Sequence, residues 1–372
     1  MMQLALQAAR EAQRVAPPNP AVGCVIVAPD GAVIGVGHTQ RTGGPHAEIM
    51  ALRDAQAHGR SVEGATVYVT LEPCAHHGRT GPCCDALIQA RIGKVVASMA
   101  DPNPLVAGQG FERLRAAGVT VEVGAGAEEA RELNIGFFSR MLRKTPWVRM
   151  KLAASLDGKT ALENGVSQWI TGHAARADGH AWRARAGAVL TGVGTVLEDD
   201  PRLDVREVET PRQPPLVIVD SHLQTPLDAR LFDTERPIWI YAAKPNADKA
   251  APLESRGVEV RYMANPQGKV DLPALLRDLA AREVNELHVE AGHKLNGSLL
   301  REGLVDELLV YLAPKLIGAG MDMASQIHAQ GPLQTLAQAV DLEFHTIESV
   351  GPDLRILARL AARDAWLEKT GA

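Results

Sequence analysis

Three short motifs near the start of the chain hold residue types able to bind a metal ion: His46-Ala47-Glu48, Pro73-Cys74 and Pro82-Cys83. One neutral imidazole and two thiolates balance the charge of Zn2+ and leave a fourth tetrahedral position for water. Zinc lowers the pKa of such a water towards ~7, which suits hydrolysis at neutral pH. The spacing puts His46 and Cys83 at helix starts, where the helix dipole favours thiolate and other negative charge. Glu48, two residues past the histidine, is not expected to ligate. Its carboxylate would take a proton and deliver it to a substrate.

His-x-Glu followed by Pro-Cys-x-x-Cys is the signature of zinc-dependent base deaminases. Here eight residues separate the cysteines, so the loop 75–82 must bring the two sulfurs together. Two blander uses compete. A Cys74–Cys83 disulfide needs an oxidising compartment. A closed structural zinc site needs a fourth ligand, for which Cys84, His76 and His77 are near, but it leaves Glu48 with no task. Cys84 adjoins Cys83 and could share its metal only with awkward geometry, so it reads as packed or exposed. Cys24, inside a β-run, reads as core.

The elements that must position these groups alternate strand and helix. Strands are expected at 22–27 and 32–37 around the turn Pro29-Asp30-Gly31, then at 65–71, 94–99 and 119–123. Helices are expected at 46–58, 83–91 and 111–117, which makes an α/β layer with a largely parallel portion. The charged helical stretch 128–143 reads as a bridge. The division is therefore a domain over 1–124, a helical linker over 125–145 and a second α/β domain over 146–372. Strands in the latter fall at 147–155, 188–191, 216–220, 238–242, 258–262, 287–290 and 308–313, with helices at 173–185, 272–281 and 295–302.

Composition narrows the partners. A net charge of -5 and 4% aromatic residues argue against a nucleic-acid groove, which needs basic surface and stacking platforms. No apolar run approaches the ~20 residues of a membrane span. The first fifteen residues read as an amphipathic helix rather than a secretion signal, so no membrane partner and a cytoplasmic location are expected. With no such signal, four cysteines are better used on a metal than in disulfides.

The strings LEPCAHHGRTGPCCDALI at 71–88, HAE at 46–48, NPAVGCVIV at 19–27 and DPNPLVAGQG at 101–110 together resemble the deaminase half of bifunctional riboflavin-biosynthesis deaminase-reductases. The eight-residue gap and the Gly78-Arg79-Thr80 loop set that group apart from cytidine and tRNA adenosine deaminases. Gly81 departs from it, since the family usually shows proline there. KLAASLDGKTA at 151–161, SQWIT at 167–171, LTGVGTVLEDDPRLDVR at 190–206 and VEAGHKLNGSLL at 289–300 are similar to the reductase half. The resemblance covers nearly the whole chain. It implies a cytidine-deaminase-like α/β/α domain followed by a dihydrofolate-reductase-like α/β domain.

Gly192-Val193-Gly194 follows a strand and looks like the start of a dinucleotide fingerprint. Leu197 stands where the third glycine belongs, and Asp199-Asp200-Pro201 does not read as a continuing helix. Glu290-Ala291-Gly292, joining a strand to a helix, is better placed to offer backbone N–H groups to a phosphate. The resemblance puts NADPH phosphates along Gly292, His293, Lys294, Leu295, Asn296, Gly297 and Ser298. It also turns Ala153, Trp169, Thr195, Asp199 and Ser221 to the cofactor. Substrate contacts fall to Ser167, Arg183, Leu203, Arg206 and Glu290, and two arginines suit a ribose phosphate. Lys151 and Asp199 are alternative proton donors or charge stabilisers for the reduction, with water as a third option. Asn19 is a further candidate site residue.

The implied activity is hydrolytic deamination of 2,5-diamino-6-(5-phosphoribosylamino)pyrimidin-4-one, then reduction of the ribosyl group to ribityl. One zinc ion, NADPH and a small phosphorylated pyrimidine are the expected ligands, and a homo-oligomer through the reductase domain the expected assembly. Two rivals are a nucleic-acid or nucleoside base deaminase with an appended non-catalytic module, and an interaction scaffold with structural zinc.

Overall fold

Alternating apolar runs and amphipathic stretches set the first unit of the computed structural model, which describes all residues except 76–80, 104–106, 326, 329–330, 332, 362, 364 and 369–372. The chain divides between Lys144 and Thr145. In order, the first unit contains α1 (Met2–Ala12), β1 (Gly23–Val27), β2 (Val33–His38), α2 (Ala47–Ala57), β3 (Thr66–Val69), α3 (Cys83–Gln89), β4 (Lys94–Ala97), α4 (Gln109–Ala116), β5 (Thr120–Val123), α5 (Ala127–Leu133) and α6 (Ile135–Arg143). The sheet runs β2-β1-β3-β4-β5, with β1 antiparallel to both neighbours and β3, β4 and β5 parallel. Every residue of β1 is buried, because α1 and α2 both pack on it.

Helix α2 carries the His46-Ala47-Glu48 motif, and its depth against the sheet depends on glycine. A Cβ on Gly37 would meet Ala51 N at 2.4 Å and Ala47 O at 2.5 Å. Gly37→Ala is therefore expected to push α2 outward and cost about 1–3 kcal/mol. A lower melting temperature checks this; an unchanged melt refutes it.

The stretch read as a linker forms α5 and α6, and both belong to the first unit. Asn134, between them, accepts from Ala21 N at 2.7 Å and donates to Ala21 O at 2.9 Å. Ile135, Phe137 and Phe138 are buried, so the charged face visible in sequence is only the outer side of a packed helix.

The second unit contains β6 (Trp147–Ser155), β7 (Lys159–Leu162), α7 (His173–Arg185), β8 (Ala188–Gly192), α8 (Val193–Asp199), β9 (Leu216–Val219), β10 (Ile238–Ala242), α9 (Ala247–Glu254), β11 (Val258–Tyr262), α10 (Leu272–Ala281), β12 (Glu286–Val289), α11 (His293–Arg301), β13 (Glu307–Ala313), β14 (Gly320–Asp322), β15 (Leu342–Val350) and β16 (Asp353–Leu360). Nine strands form one sheet in the order β11-β10-β9-β8-β12-β6-β13-β16-β15, while β14 and β7 make a small ribbon. Pairing is parallel from β11 to β13, then antiparallel through β16 and β15. Strand β12 returns between β8 and β6, so the chain order reverses there. Such a switch point opens a crevice at the carboxyl ends of parallel strands.

Several elements escape the sequence reading: β7, α8, α9, β14 and the β15–β16 hairpin. Helix α8 runs to Asp199 and stops there, with Asp200 capping it in the left-handed region before Pro201. Strand β15 is almost wholly exposed and mixes charged with apolar residues, which leaves no apolar run to mark it.

Candidate metal centre and cleft of the second unit

After β3 the chain passes through Glu72 and Pro73 to Cys74. Glu72 is buried, and its carboxylate accepts from the backbone N–H groups of Asp101 (3.1 Å), Gly108 (2.9 Å), Gly110 (2.8 Å) and Phe111 (3.3 Å). This ties the approach to Cys74 onto the start of α4. Gly110 permits it, since a Cβ there would lie 2.0 Å from Pro73 O. His46 is the N-cap of α2 and Cys83 the first residue of α3.

The three side chains converge. Cys74 Sγ is 3.6 Å and Cys83 Sγ 3.4 Å from His46 Nδ1, and all three ligand atoms lie within 4.8 Å of one another. Tetrahedral zinc with ordinary Zn–S and Zn–N bonds needs S···N edges of about 3.6 Å. The donor set and its spacing therefore fit zinc. Cys84 turns away, its thiol donating to Cys74 O at 2.8 Å, and no fourth ligand joins the group among the described residues. His76, His77 and the Gly78-Arg79-Thr80 loop lie outside those residues. Cys24 is buried in β1.

The hydrogen bond from Cys83 pulls Cys74 down to about 4, and the same bond pushes Cys83 up. Glu48, the second residue of α2, is 3% exposed. Burial, then the charge of Cys74, pushes its carboxyl up to about 7, where a group can both take and give a proton near neutrality. Asn19 lies half-buried in the turn after α1, its N–H donating to Ala16 O at 2.9 Å.

In the second unit a cavity of about 620 Å³ opens beyond β8, β9 and β12. Thr195, Ser221, Gly292, His293, Lys294, Leu295 and Ser298 line it. So do Gly192, Val193 and Gly194, although they lack the third glycine of a dinucleotide fingerprint. Asn296 and Gly297 do not line it. Asn296 donates inward to Ala291 O and Met323 O at 3.0 and 3.2 Å, and a Cβ on Gly297 would lie 1.6 Å from Ser325 O. Helical periodicity turns these two onto the packed face of α11, where they seat the helix. Ala153, Trp169 and Asp199 also lie outside this cavity. Trp169 is 60% exposed, under the Arg176 guanidinium, and Asp199 accepts from Ser167 Oγ at 3.5 Å. Asn265, Gln267, Lys269 and Arg301 line the cavity too. Only the strand order could reveal them, because the first three follow a strand three places away in the sheet.

Glu290, two residues before Gly292, anchors a charged cluster. Arg183 grips both its carboxylate oxygens, and Lys151 Nζ lies 3.7 Å from Oε2. Burial opposes ionisation of Glu290, but Arg183 and Lys151 hold it well below the usual carboxylate range. Arg183 also donates to Asp204 O at 2.6 Å, and Arg206 to Asp204 Oδ1 at 2.6 Å, with buried Leu203 between them in sequence. His180 joins unheralded by sequence: Nδ1 accepts from Arg206 N at 3.3 Å. Burial and the neighbouring arginines bring that histidine down to about 4.

The cytidine and deoxycytidylate deaminase zinc-binding region matches residues 1–99, and the RibD C-terminal domain matches residues 146–356. The chain belongs to the RibD family. It is 45% identical to the riboflavin biosynthesis protein RibD of Escherichia coli, over 95% of this chain and 96% of that protein. The Aquifex aeolicus RibD is 41% identical over the same shares. A structure of Acinetobacter baumannii RibD superposes with a TM-score of 0.85 at 38% identity, covering 97% of this chain and 98% of that one. A Thermotoga maritima diaminohydroxyphosphoribosylaminopyrimidine deaminase/5-amino-6-(5-phosphoribosylamino)uracil reductase superposes with a TM-score of 0.86 at 33% identity, covering 97% of each chain.

The fold is accordingly a cytidine-deaminase-like unit followed by a dihydrofolate-reductase-like unit. The protein is a bifunctional enzyme of riboflavin biosynthesis, a deaminase and a reductase acting on a small phosphorylated pyrimidine with zinc and NADPH as cofactors. Both halves match RibD in order, which disfavours a base deaminase with an idle appendage. No helix among the described residues is long and apolar enough to cross a membrane.

Proposed function

We propose that residues 1–124, within the first unit, deaminate 2,5-diamino-6-(5-phosphoribosylamino)pyrimidin-4-one, with zinc held by His46, Cys74 and Cys83. The observation that carries this is a His–Cys–Cys cluster at zinc spacing beside one buried, non-ligating carboxylate. Zinc, when bound, supplies an acidified water. Glu48 takes a proton on its carboxylate and hands it to the ring and the departing amine. Residues 146–372, most of them in the second unit, reduce the ribosyl group to ribityl. Gly292, His293, Lys294, Leu295 and Ser298, with Thr195 and Ser221, would hold NADPH, which would supply the hydride. Arg183 and Arg206 hold the substrate phosphate, Glu290 orients Arg183 and Lys151, and Lys151 or Asp199 provides the proton.

The test follows ammonia and NADPH separately in one mixture of protein, phosphorylated diaminopyrimidine and NADPH. Arg206→Ala is expected to raise the substrate KM of NADPH oxidation about tenfold or more, as loss of a charge-assisted contact does, and to leave ammonia release unchanged. Simultaneous loss of both activities would sink the assignment of two separate sites. A cytoplasmic homo-oligomer completes the reading. The edge strand β15 supports it, with Leu342 42%, Phe344 68% and Ile347 54% exposed, since such an edge invites pairing with another copy. Sedimentation as a monomer at micromolar concentration would refute that part.

A further inference from the structure

Residues 201–206 form neither helix nor strand, yet side chains bond the backbone of 202–206 at every step. Arg236 donates from Nη1 to Leu203 O at 2.6 Å and from Nη2 to Arg202 O. Arg183 takes the next carbonyl, Asp204 O. Gln213 brackets Val205, accepting its N–H and donating to its carbonyl, both at 2.8 Å. His180 accepts the N–H of Arg206. Leu203 sits at φ +51°, a left-handed conformation that a leucine holds only when its surroundings impose it.

The Asp204 carboxylate in turn aims the cations of this loop, reaching Arg206 at 2.6 Å and Arg202 at 3.4 Å. The Arg236 guanidinium makes no ion pair among the described residues. Burial brings it down to about 10 against the attraction of Asp204, and its hydrogen bonds go to the two carbonyl oxygens. Five donors in a rigid fork suit two successive carbonyls, and no other side chain offers that geometry.

We propose that Arg236, backed by Gln213, is a positioning residue of the reductase: it fixes the backbone of 202–206 from behind, so that Leu203 and Arg206 meet the substrate in one geometry. This rests on the assignment of Arg183, Leu203 and Arg206 to substrate contact.

The experiment is steady-state NADPH oxidation on the deaminated substrate, with Arg236→Met, Arg236→Lys, Gln213→Leu and Arg206→Ala beside the unaltered protein. Arg236→Met is expected to raise the substrate KM about tenfold, the effect of losing charge-assisted hydrogen bonds, and to leave the NADPH KM within about twofold. Arg236→Lys, which keeps a cation and a donor, is expected to recover part of the loss. An unchanged substrate KM in Arg236→Met, or an equal rise in both KM values, would overturn the proposal. Should Arg236→Met fail to fold, Gln213→Leu gives the same reading, and an unchanged substrate KM in that folded variant overturns it too. Arg206→Ala separates the two levels. No rise there sinks the substrate-loop assignment itself; a rise there with none in Arg236→Met sinks only the role of Arg236.

Discussion

Glu48→Gln is expected to slow ammonia release by about 10²–10⁴-fold, the usual contribution of a positioned general acid–base, while NADPH oxidation on pre-deaminated substrate continues. The amide matches the carboxylate in shape, so α2 keeps its seat and His46 its place at the N-cap. What it loses is the capacity to accept a proton. Glu48 lies beside Cys83 and within the field of Cys74, yet it is outside the three-ligand group. Bound zinc, counted by elemental analysis, should therefore remain near one per chain in the variant. Zinc loss in parallel with activity would make Glu48 a ligand, and unimpaired ammonia release would remove it from the chemistry.

Arg149→Met should destabilise the second unit by about 3 kcal/mol near neutral pH, because two carboxylates lose a buried cation. Arg149 on β6 lies 2.6 Å from Glu286 on β12 and bonds Glu307 on β13, with its guanidinium 4.4 Å from the Trp182 ring centre. Arg185 and Arg359 hold the outer sides of the two acids, so the variant keeps one cation per carboxylate and the loss stays at the lower end for broken buried pairs. Burial would raise the Glu286 carboxyl, but Arg185 and Arg149 outweigh it and hold it at about 2. Glu307 is likewise lowered against its burial by Arg149 and Arg359. The sign follows from linkage. Acids depressed in the folded state stabilise it above their unfolded pKa of about 4.3 and lose that contribution as pH falls through the folded value. The penalty of Arg149→Met is thus largest near neutrality and shrinks between about pH 4.3 and about pH 2. Urea midpoints at neutral and acid pH measure it, and a penalty independent of pH would refute the electrostatic account.

Much of the first site was legible because its chemistry sits in short motifs at helix starts and strand ends. His46, Glu48, Cys74 and Cys83 need only local turns and one loop to meet, and the residue types already specify a metal with an open position. The cavity of the second unit was read as a reductase site mainly through family likeness. Its lining mixes loops that follow β8, β9, β11 and β12, and no spacing in the chain states that β12 inserts between β8 and β6. The same reason sets Asn296 and Gly297 apart from the residues that line the cavity. Asn296 and Gly297 belong to the right motif, but only the packing of α11 against Ala291, Met323 and Ser325 decides which face they take.

Helix and strand boundaries in the buried core followed from apolar periodicity, while the exposed β15 and the short α8 did not, since neither presents a buried stripe to detect. The helices at 127–143 show the converse: their charges suggested a bridge, but Asn134 and two buried phenylalanines join them to the first unit. By itself, then, the sequence determined the family, the two α/β halves and the His46, Cys74 and Cys83 group that could hold a metal, with Glu48 beside it. The tertiary structure alone decided which residues share the cavity of the second unit and what holds the loop 202–206. Those outcomes depend on contacts between distant segments such as Arg236 and Leu203, where the bond is made to backbone carbonyls that every residue possesses and no sequence pattern can mark.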